Sequence, residues 1–228
     1  MAFGDILQSV SSSFAQTQTC AISSPVSGNA LFFIGGNQLF TGGGITTPPA
    51  GWTEIHTELT GNLRSAAYYK VSDGTETSVV IVWAGGSGVG FFCEIDFDGN
   101  TLVTPVQTAE DTTNVTTLVT SQNPGSVTPA NATNVWVGAV YVDQASNLFA
   151  GRAWTDTVTD LRAITNLGQA QPDVVAKVNI PASAFNPTFS SSGTADEMYG
   201  VAAVFEYEVA GGGSNIPVIK HHLDQMAA

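Results

Sequence analysis

The sequence predicts an all-β protein, an antiparallel two-sheet β-sandwich that is jelly-roll-like or immunoglobulin-like, with a short helical arm at its N-terminus. Two observations favour the sandwich. Short apolar blocks rich in aromatic and β-branched residues recur along the 228 residues, and turns containing glycine, proline or asparagine separate them. About ten or eleven strands of this kind, with no long helix between them, are typical of sandwiches and jelly rolls.

The arm is predicted from one apolar stripe near the N-terminus. Five apolar side chains recur at i, i+3, i+4, i+7 and i+11, the spacing of an amphipathic helix: Phe3, Ile6, Leu7, Val10 and Phe14. Such a stripe either packs against the helix's own domain or docks on a neighbouring subunit, and the sequence leaves both open. We take residues 1–19 as the arm and the first four residues of the stripe as candidate docking residues.

Residues 51–97 form the predicted sheet core. The blocks GWTEIHTE, RSAAYYKVSDGTETSVVIVWA and GVGFFCEIDF indicate consecutive antiparallel strands. The run from Val79 to Trp83 is apolar throughout, which favours a central strand covered on both faces. Residues 85–88 and Asp98-Gly99-Asn100 have turn chemistry, so we expect a hairpin at each.

Two later blocks complete the predicted sandwich. VWVGAVYV (135–142) is apolar throughout and predicts a strand buried on both faces, and YGVAAVFEYEV (199–209) is the last predicted strand. We place the sandwich domain at residues 20–210 and a C-terminal tail at residues 211–228. No internal repeat with a period of 20 to 50 residues is visible.

The charge composition restricts the possible partners. Charged residues make up 11% of the chain, against about 25% in an ordinary soluble domain, so we expect part of the surface to be buried against partners. The net charge is −13, which disfavours nucleic acid as a partner because binding phosphates needs clustered Lys and Arg. No stretch reaches the roughly 18 apolar residues of a membrane-spanning helix, so we expect no membrane association.

The residue types that carry chemistry form no strong motif. Cys20 and Cys93 match no metal or redox spacing, and we expect buried free thiols, with a disulfide between them as the alternative. Glu94, Asp96 and Asp98 share one strand face. They could form a cation site, but a solvated strand face is the more common outcome. The three histidines show no zinc spacing. We therefore expect no enzyme activity and no cofactor.

The four tryptophans divide into two groups. Trp83 and Trp136 lie in fully apolar runs and are expected in the core. Trp52 and Trp154 lie near predicted loops, where an exposed ring could stack on a sugar. These two residues are our candidate glycan-stacking residues.

Several blocks resemble β-sandwich domains in virion proteins of tailed bacteriophages. Such domains have a P-x-G-W opening, a Y-Y-K-V-type strand followed by Glu, and a Thr/Pro-rich loop before a V-x-V-x-A-type strand. The matching pieces cover roughly residues 48 to 208: PPAGWTEI (48–55), RSAAYYKV (64–71), Glu76 to Trp83, GVGFFCEIDF (88–97), SVTPANATNVWVGAVYVD (126–143) and YGVAAVFEYE (199–208). The resemblance implies a non-enzymatic virion component and supplies no catalytic residues.

The sequence thus leads to one main expectation and one alternative. We expect a bacteriophage virion structural protein, a capsid decoration or cement protein that binds the major capsid protein or another virion protein as a homo-oligomer, with a trimer favoured. The alternative is a tail- or fibre-associated module that binds a receptor or glycan through Trp52, Trp154 or the predicted loop at 183–193.

Overall fold

The computed structural model describes residues 3–38, 44–59, 63–104, 106–114, 116–143, 151–164, 169–192 and 196–208. Within these ranges the chain forms seventeen β-strands and no helix. It follows that this part of the chain contains no helix that could span a bilayer. The all-β, antiparallel class predicted from the sequence is confirmed.

The first eight strands form two antiparallel sheets. In chain order they are β1 (Ile6–Ser11), β2 (Thr17–Ala21), β3 (Ala30–Gln38), β4 (Ile45–Thr47), β5 (Thr53–Glu58), β6 (Leu63–Val71), β7 (Ser78–Trp83) and β8 (Phe91–Ile95). The larger sheet has the order β1-β8-β3-β6-β5, and the smaller one has the order β2-β7-β4.

The remaining strands form a second pair of sheets. They are β9 (Thr101–Leu102), β10 (Gln107–Asp111), β11 (Ser121–Gln122), β12 (Asn134–Val142), β13 (Ala153–Trp154), β14 (Thr159–Arg162), β15 (Gln171–Val178), β16 (Phe189–Ser190) and β17 (Met198–Glu208). The larger sheet has the order β10-β17-β12-β15-β14, with β9 also paired to β17, and the smaller one has the order β11-β16-β13.

The second half repeats the strand order of the first. If β10 to β17 are counted as strands one to eight, both halves have the order 1-8-3-6-5 in the large sheet and 2-7-4 in the small one. Even an irregularity recurs, because the register shift between Glu54 and His56 matches the shift between Asp160 and Arg162. Equivalent positions lie about 105 residues apart, a period longer than the 20 to 50 residues considered in the sequence.

Four layers result from this arrangement. The main core lies between the two large sheets, where Phe32 and Ile95 of the first half meet Val137 and Phe205 of the second. Each large sheet is covered on its other face by the small sheet of its own half. All nine residues of β12 are therefore buried, which confirms the strand predicted at 135–142. Alternation sends Val137 into the central core and Trp136 into the outer one.

Tyr141 joins the two halves at the centre of the molecule. Its fully buried hydroxyl lies 2.8 Å from the carbonyl oxygen of Gly36, 2.9 Å from that of Val89 and 3.2 Å from that of Ala170. Gly36 occupies the equivalent place in the first half, and a Cβ there would lie 2.7 Å from Cζ of Tyr141. A glycine in one half thus makes room for the tyrosine of the other.

The predicted N-terminal helical arm is wrong. Residues 6–11 form strand β1, which pairs with β8 as an edge strand of the first large sheet. A register shift at Leu7 places one extra residue in the strand. The shift interrupts the two-residue alternation, and Ile6 and Val10 pack against different cores. This produces the spacing that resembled a helix. Residues 211–228, the predicted tail, lie outside the described residues.

Two predicted hairpins and one predicted burial pattern also differ from the structure. The turns at 85–88 and 98–100 have suitable chemistry, and Asp98 and Gly99 both have positive φ. However, they connect strands of different sheets, because β7 belongs to the small sheet and β9 pairs with β17. Strand β7 is covered on one face only: Val79, Ile81 and Trp83 are buried, whereas the residues between them are half-buried.

Candidate interaction surface

The N-terminal segment lies along one edge of the first large sheet. Phe3 is half-buried, with its ring centroid 3.9 Å from that of Tyr207 and 5.6 Å from that of Phe97. Ile6 packs against the central core and Val10 against the core beneath the small sheet. The four candidate docking residues therefore follow one strand edge and not one helix face. Docking on a neighbour remains a prediction.

Leu7 occupies a different setting from the other three candidates. It is the residue at the register shift and is half-buried. Together with Val26 and Glu94 it lines a surface hollow of about 380 Å³. Leu7 thus lies in this depression, whereas Ile6 lines a different groove, between β1 and β14.

Two equivalent clefts separate the edge strands of the two halves. The first cleft lies between β1 and β14. Its groove has a volume of about 420 Å³, and Ile6, Ser9 and Leu161 are among its lining residues. Arg162 crosses this cleft, because its Nε donates a hydrogen bond of 2.9 Å to Ser11 Oγ. Its other donors bind the Pro172 carbonyl oxygen and the side chain of Gln171.

The second cleft lies between β5 and β10 and has a smaller volume, about 110 Å³. Here His56, equivalent to Arg162, contacts the carboxylate of Glu110, equivalent to Ser11. The imidazole stacks on Tyr199, with the ring centroids 5.6 Å apart and the planes at 25°. Burial raises the pKa of Tyr199 well above its usual range, and the neighbouring carboxylates, Glu110 foremost, add to this effect.

Two buried glutamates on the large sheets form hydrogen bonds with neighbouring loops. Glu94 accepts hydrogen bonds from the Val26 backbone N–H (2.8 Å) and the Asn29 side chain (2.7 Å), as well as from Gln8. Glu206 of the second half accepts hydrogen bonds from the side chain of Gln107 and from two backbone N–H groups. The buried oxygens of both carboxylates thus accept hydrogen bonds from donors on separate segments of the chain.

A third buried carboxylate lies on β15, next to the edge strand β14. Asp173 is fully buried and is held by Arg152, whose Nη2 lies 2.7 Å from Asp173 Oδ1. Arg152 also binds Asp160 on β14. Burial acts to lower the pKa of Arg152, but the hydrogen bonds to Asp173 and Asp160 outweigh it and raise the pKa. The indole N–H of Trp154 donates a hydrogen bond of 3.0 Å to Asp173.

The candidate glycan-stacking residues lie apart, in different halves. Trp52 is half-buried, and its ring packs edge-to-face against Phe33 and Phe92 at 6.3 and 6.4 Å. Trp154 is also half-buried and packs against Trp136 and Phe189. Each ring contributes part of its area to core packing, and the two do not form a common platform.

The acidic residues near β8 do not form a shared cation site. Glu94 and Asp96 are buried rather than solvated. Glu94 binds loop donors, and Asp96 Oδ1 accepts a hydrogen bond from the Asp98 backbone N–H. In the described part of the chain, no group of three or more His, Cys, Asp or Glu side chains could hold a metal ion.

Cys20 on β2 of the small sheet and Cys93 on β8 of the large sheet are buried free thiols that lie in different cores. Burial raises the pKa of the Cys20 thiol to about 12 and also raises the pKa of Cys93. At neutral pH both thiols are therefore protonated.

An acidic cluster lies where β12 ends. Asp143 is 6% exposed, and its backbone N–H donates to the Glu197 carbonyl oxygen over 3.1 Å. Burial raises the pKa of Asp143 to about 7, and the nearby carboxylates of Asp196 and Glu197 add to the shift. Gln38 holds the equivalent place in the first half, where its N–H donates to the Ser87 carbonyl oxygen.

The residues that cross the clefts were not identified from the sequence. His56 and Glu110 are far apart in the chain, and so are Arg162 and Ser11. The scarcity of basic residues was a usable signal, because in a chain with 6 Lys and Arg most of them are expected to have a partner. Among the described residues, Lys70, Arg152 and Lys177 each form an ion pair with a carboxylate.

Comparison with known proteins gives no relative for this chain: no family model, no curated protein and no solved structure matches it.

Proposed function

We propose that the protein is a non-enzymatic structural component of a tailed-bacteriophage particle, a capsid decoration or cement protein that acts as a symmetric homo-oligomer. The proposal begins from the resemblance of residues 48–208 to virion β-sandwich domains. The strand order supports it, since an eight-stranded arrangement of 1-8-3-6 facing 2-7-4 is that of a jelly roll. We interpret the chain as two such jelly rolls in tandem.

The observation that carries the proposal is that buried polar side chains form hydrogen bonds between separate segments of the chain. Glu94, Glu206 and Asp173 each hold several donors from separate segments, and Tyr141 links the halves. Such networks make a fold rigid. Rigidity of this kind suits a protein that keeps its shape on a particle and binds through its outer surfaces.

The mechanism is cooperative burial of surface on a lattice. A standard protein interface buries on the order of 1,600 Å² in total, and repeated contacts on one particle raise the overall avidity without any new contact. The low content of charged residues, 11%, suits surfaces that become buried against partners. We keep the same docking residues, which lie on or just before the edge strand β1: Phe3, Ile6, Leu7 and Val10.

A reconstitution experiment tests the proposal. Particles are assembled from a phage carrying the gene and from the same phage with the gene deleted, and purified protein is added to the deleted particles. We expect saturable co-sedimentation with capsids and no co-sedimentation with isolated tails. Protein that stays in the supernatant at every concentration contradicts the proposal.

One observation favours the alternative of a tail-associated glycan-binding module: Trp52 and Trp154 are both half-buried and not fully buried. Binding to tails, or to a glycan array, that is lost in Trp52→Ala but kept in Trp83→Phe would favour this alternative. The second variant is the control because Trp83 is fully buried.

A further inference from the structure

Strand β1 has an outer edge that pairs with no other strand in the described part of the chain. It pairs with β8 alone, so one side of its backbone lacks a strand partner within the described residues. The Ser12 N–H donates to the Gly90 carbonyl oxygen. Because hydrogen-bonded positions alternate in an antiparallel ladder, the backbone groups of Ser9 and Ser11 point to the outer side. Both residues are exposed.

The edge of β1 also lacks the charges carried by the other edge strands of the two large sheets. The remaining edge strands of the two large sheets all carry charged or titratable side chains: Glu54, His56 and Glu58 in β5, Glu110 and Asp111 in β10, and Asp160 and Arg162 in β14. Strand β1, ILQSVS, carries none. Charges on edge strands prevent pairing with other chains, so β1 is open to such pairing.

The equivalent strand of the second half makes the contrast specific. Strand β10 occupies the place of β1, with Thr108 at the position of Ser9 and Glu110 at that of Ser11. The same fold therefore contains one protected edge and one unprotected edge. General requirements of the fold cannot explain the difference, because both halves meet the same ones.

We propose that the outer edge of β1 pairs antiparallel with β1 of a second copy of this chain, about a twofold axis at Ser9. This inference names the partner of the docking residues in the proposed function and rests on that function for its biological setting. In this register Ser9 faces Ser9 and Gln8 faces Val10 of the other copy, and the pairing uses the outward backbone groups of Ser9 and Ser11.

Charge favours a second copy as the occupant. Each copy carries a net charge of −13, so two copies repel wherever their acidic surfaces meet, and an uncharged edge avoids this. A twofold axis at Ser9 brings the same uncharged edge of both copies together, so neither strand adds a like charge at the pairing.

Matched charge substitutions test the pairing. We expect the wild type to form a dimer in light scattering and sedimentation equilibrium at micromolar concentrations. Ser9→Asp places two like charges beside the axis and should give a monomer. Thr108→Asp makes the same change at the equivalent exposed position of β10 and should leave the dimer intact. Circular dichroism and thermal unfolding establish that both variants fold.

A complementation experiment adds a second readout. Ser9→Lys alone should also be monomeric, whereas a mixture of Ser9→Asp and Ser9→Lys should restore a dimer through opposite charges at the axis. A monomeric wild type, an oligomer unaffected by Ser9→Asp, or a trimer overturns the inference. Each of these outcomes leaves capsid co-sedimentation, and hence the proposed function, as a separate question.

Discussion

The two clefts between the halves of this protein occupy equivalent places but are built differently. At the β1/β14 cleft, an arginine binds a serine hydroxyl and the edge of β1 is uncharged. At the β5/β10 cleft, a histidine binds a glutamate and both edges are acidic. Because the backbone arrangement is shared, the difference lies in the side chains. It teaches that a repeated fold can protect one sheet edge and leave the other open to a partner.

The largest effect on stability is expected from removing Arg152, which binds Asp160 on β14 and Asp173 on β15. Arg152→Met leaves Asp173 buried without its cation, which should lower the free energy of unfolding by about 3–5 kcal/mol. Urea unfolding followed by tryptophan fluorescence measures the change.

The double variant Arg152→Met/Asp173→Leu is the control for this prediction. It removes both charges together and should recover most of the lost stability, since no buried charge then lacks its partner. Equal destabilisation in the single and double variants would mean that packing around residue 152, and not the ion pair, holds β14.

The second prediction concerns the equivalent pair Asp143 and Gln38. The raised pKa of Asp143, about 7 against 3.8, means that the folded state favours the protonated form. Its stabilising contribution is complete below about pH 4 and is lost as the pH rises to about 7. The free energy of unfolding of Asp143→Asn should therefore match that of the wild type near pH 4 and exceed it at pH 8, by up to about 4 kcal/mol.

Urea unfolding at several pH values between 4 and 8 checks this second prediction. Gln38→Glu is the complementary variant, because it introduces a carboxyl at the equivalent place in the first half and should make that half sensitive to pH as well. A constant difference between Asp143→Asn and the wild type across the pH range would contradict the assignment.

The smallest effect is expected at the second cleft. The side chains of His56 and Glu110 are 26% and 41% exposed, and pairs with this degree of exposure contribute about 0.2–1 kcal/mol. Glu110→Gln should thus change the free energy of unfolding by less than about 1 kcal/mol. If this variant also dimerised through β10, the result would support the proposal that charge at that edge prevents pairing. A loss of several kcal/mol would contradict the minor role given to this pair.

The parts of the fold that the sequence predicted are those that depend on local composition. The run at 135–142 is apolar at every position, and a strand buried on both faces requires this regardless of its partners. The turn at 98–100 was also recognised, because Asp-Gly favours positive φ. Which sheet the next strand, β9, joins depends on long-range packing, and the local sequence carries no signal of it.

The N-terminal strand and the internal repeat could not be predicted for related reasons. One extra residue at Leu7 changes an alternating pattern into one with helical spacing, and only the partner strand β8 resolves the ambiguity. The repeat is hidden because equivalent positions carry unlike residues, such as Gly36 and Tyr141 or Ala66 and Asp173. The cleft residues meet only after both halves have folded.

Amide hydrogen exchange of residues 8–12, measured by NMR at low and high protein concentration, tests most directly the claim that β1 is an open edge that pairs with a second copy. We predict slow exchange for Val10 and Ser12 at both concentrations, because their amides face β8. The amides of Ser9 and Ser11 should exchange fast in dilute solution and slowly when concentrated. Fast exchange of Ser9 and Ser11 at every concentration, or uniform protection of all five amides in dilute solution, would contradict the claim.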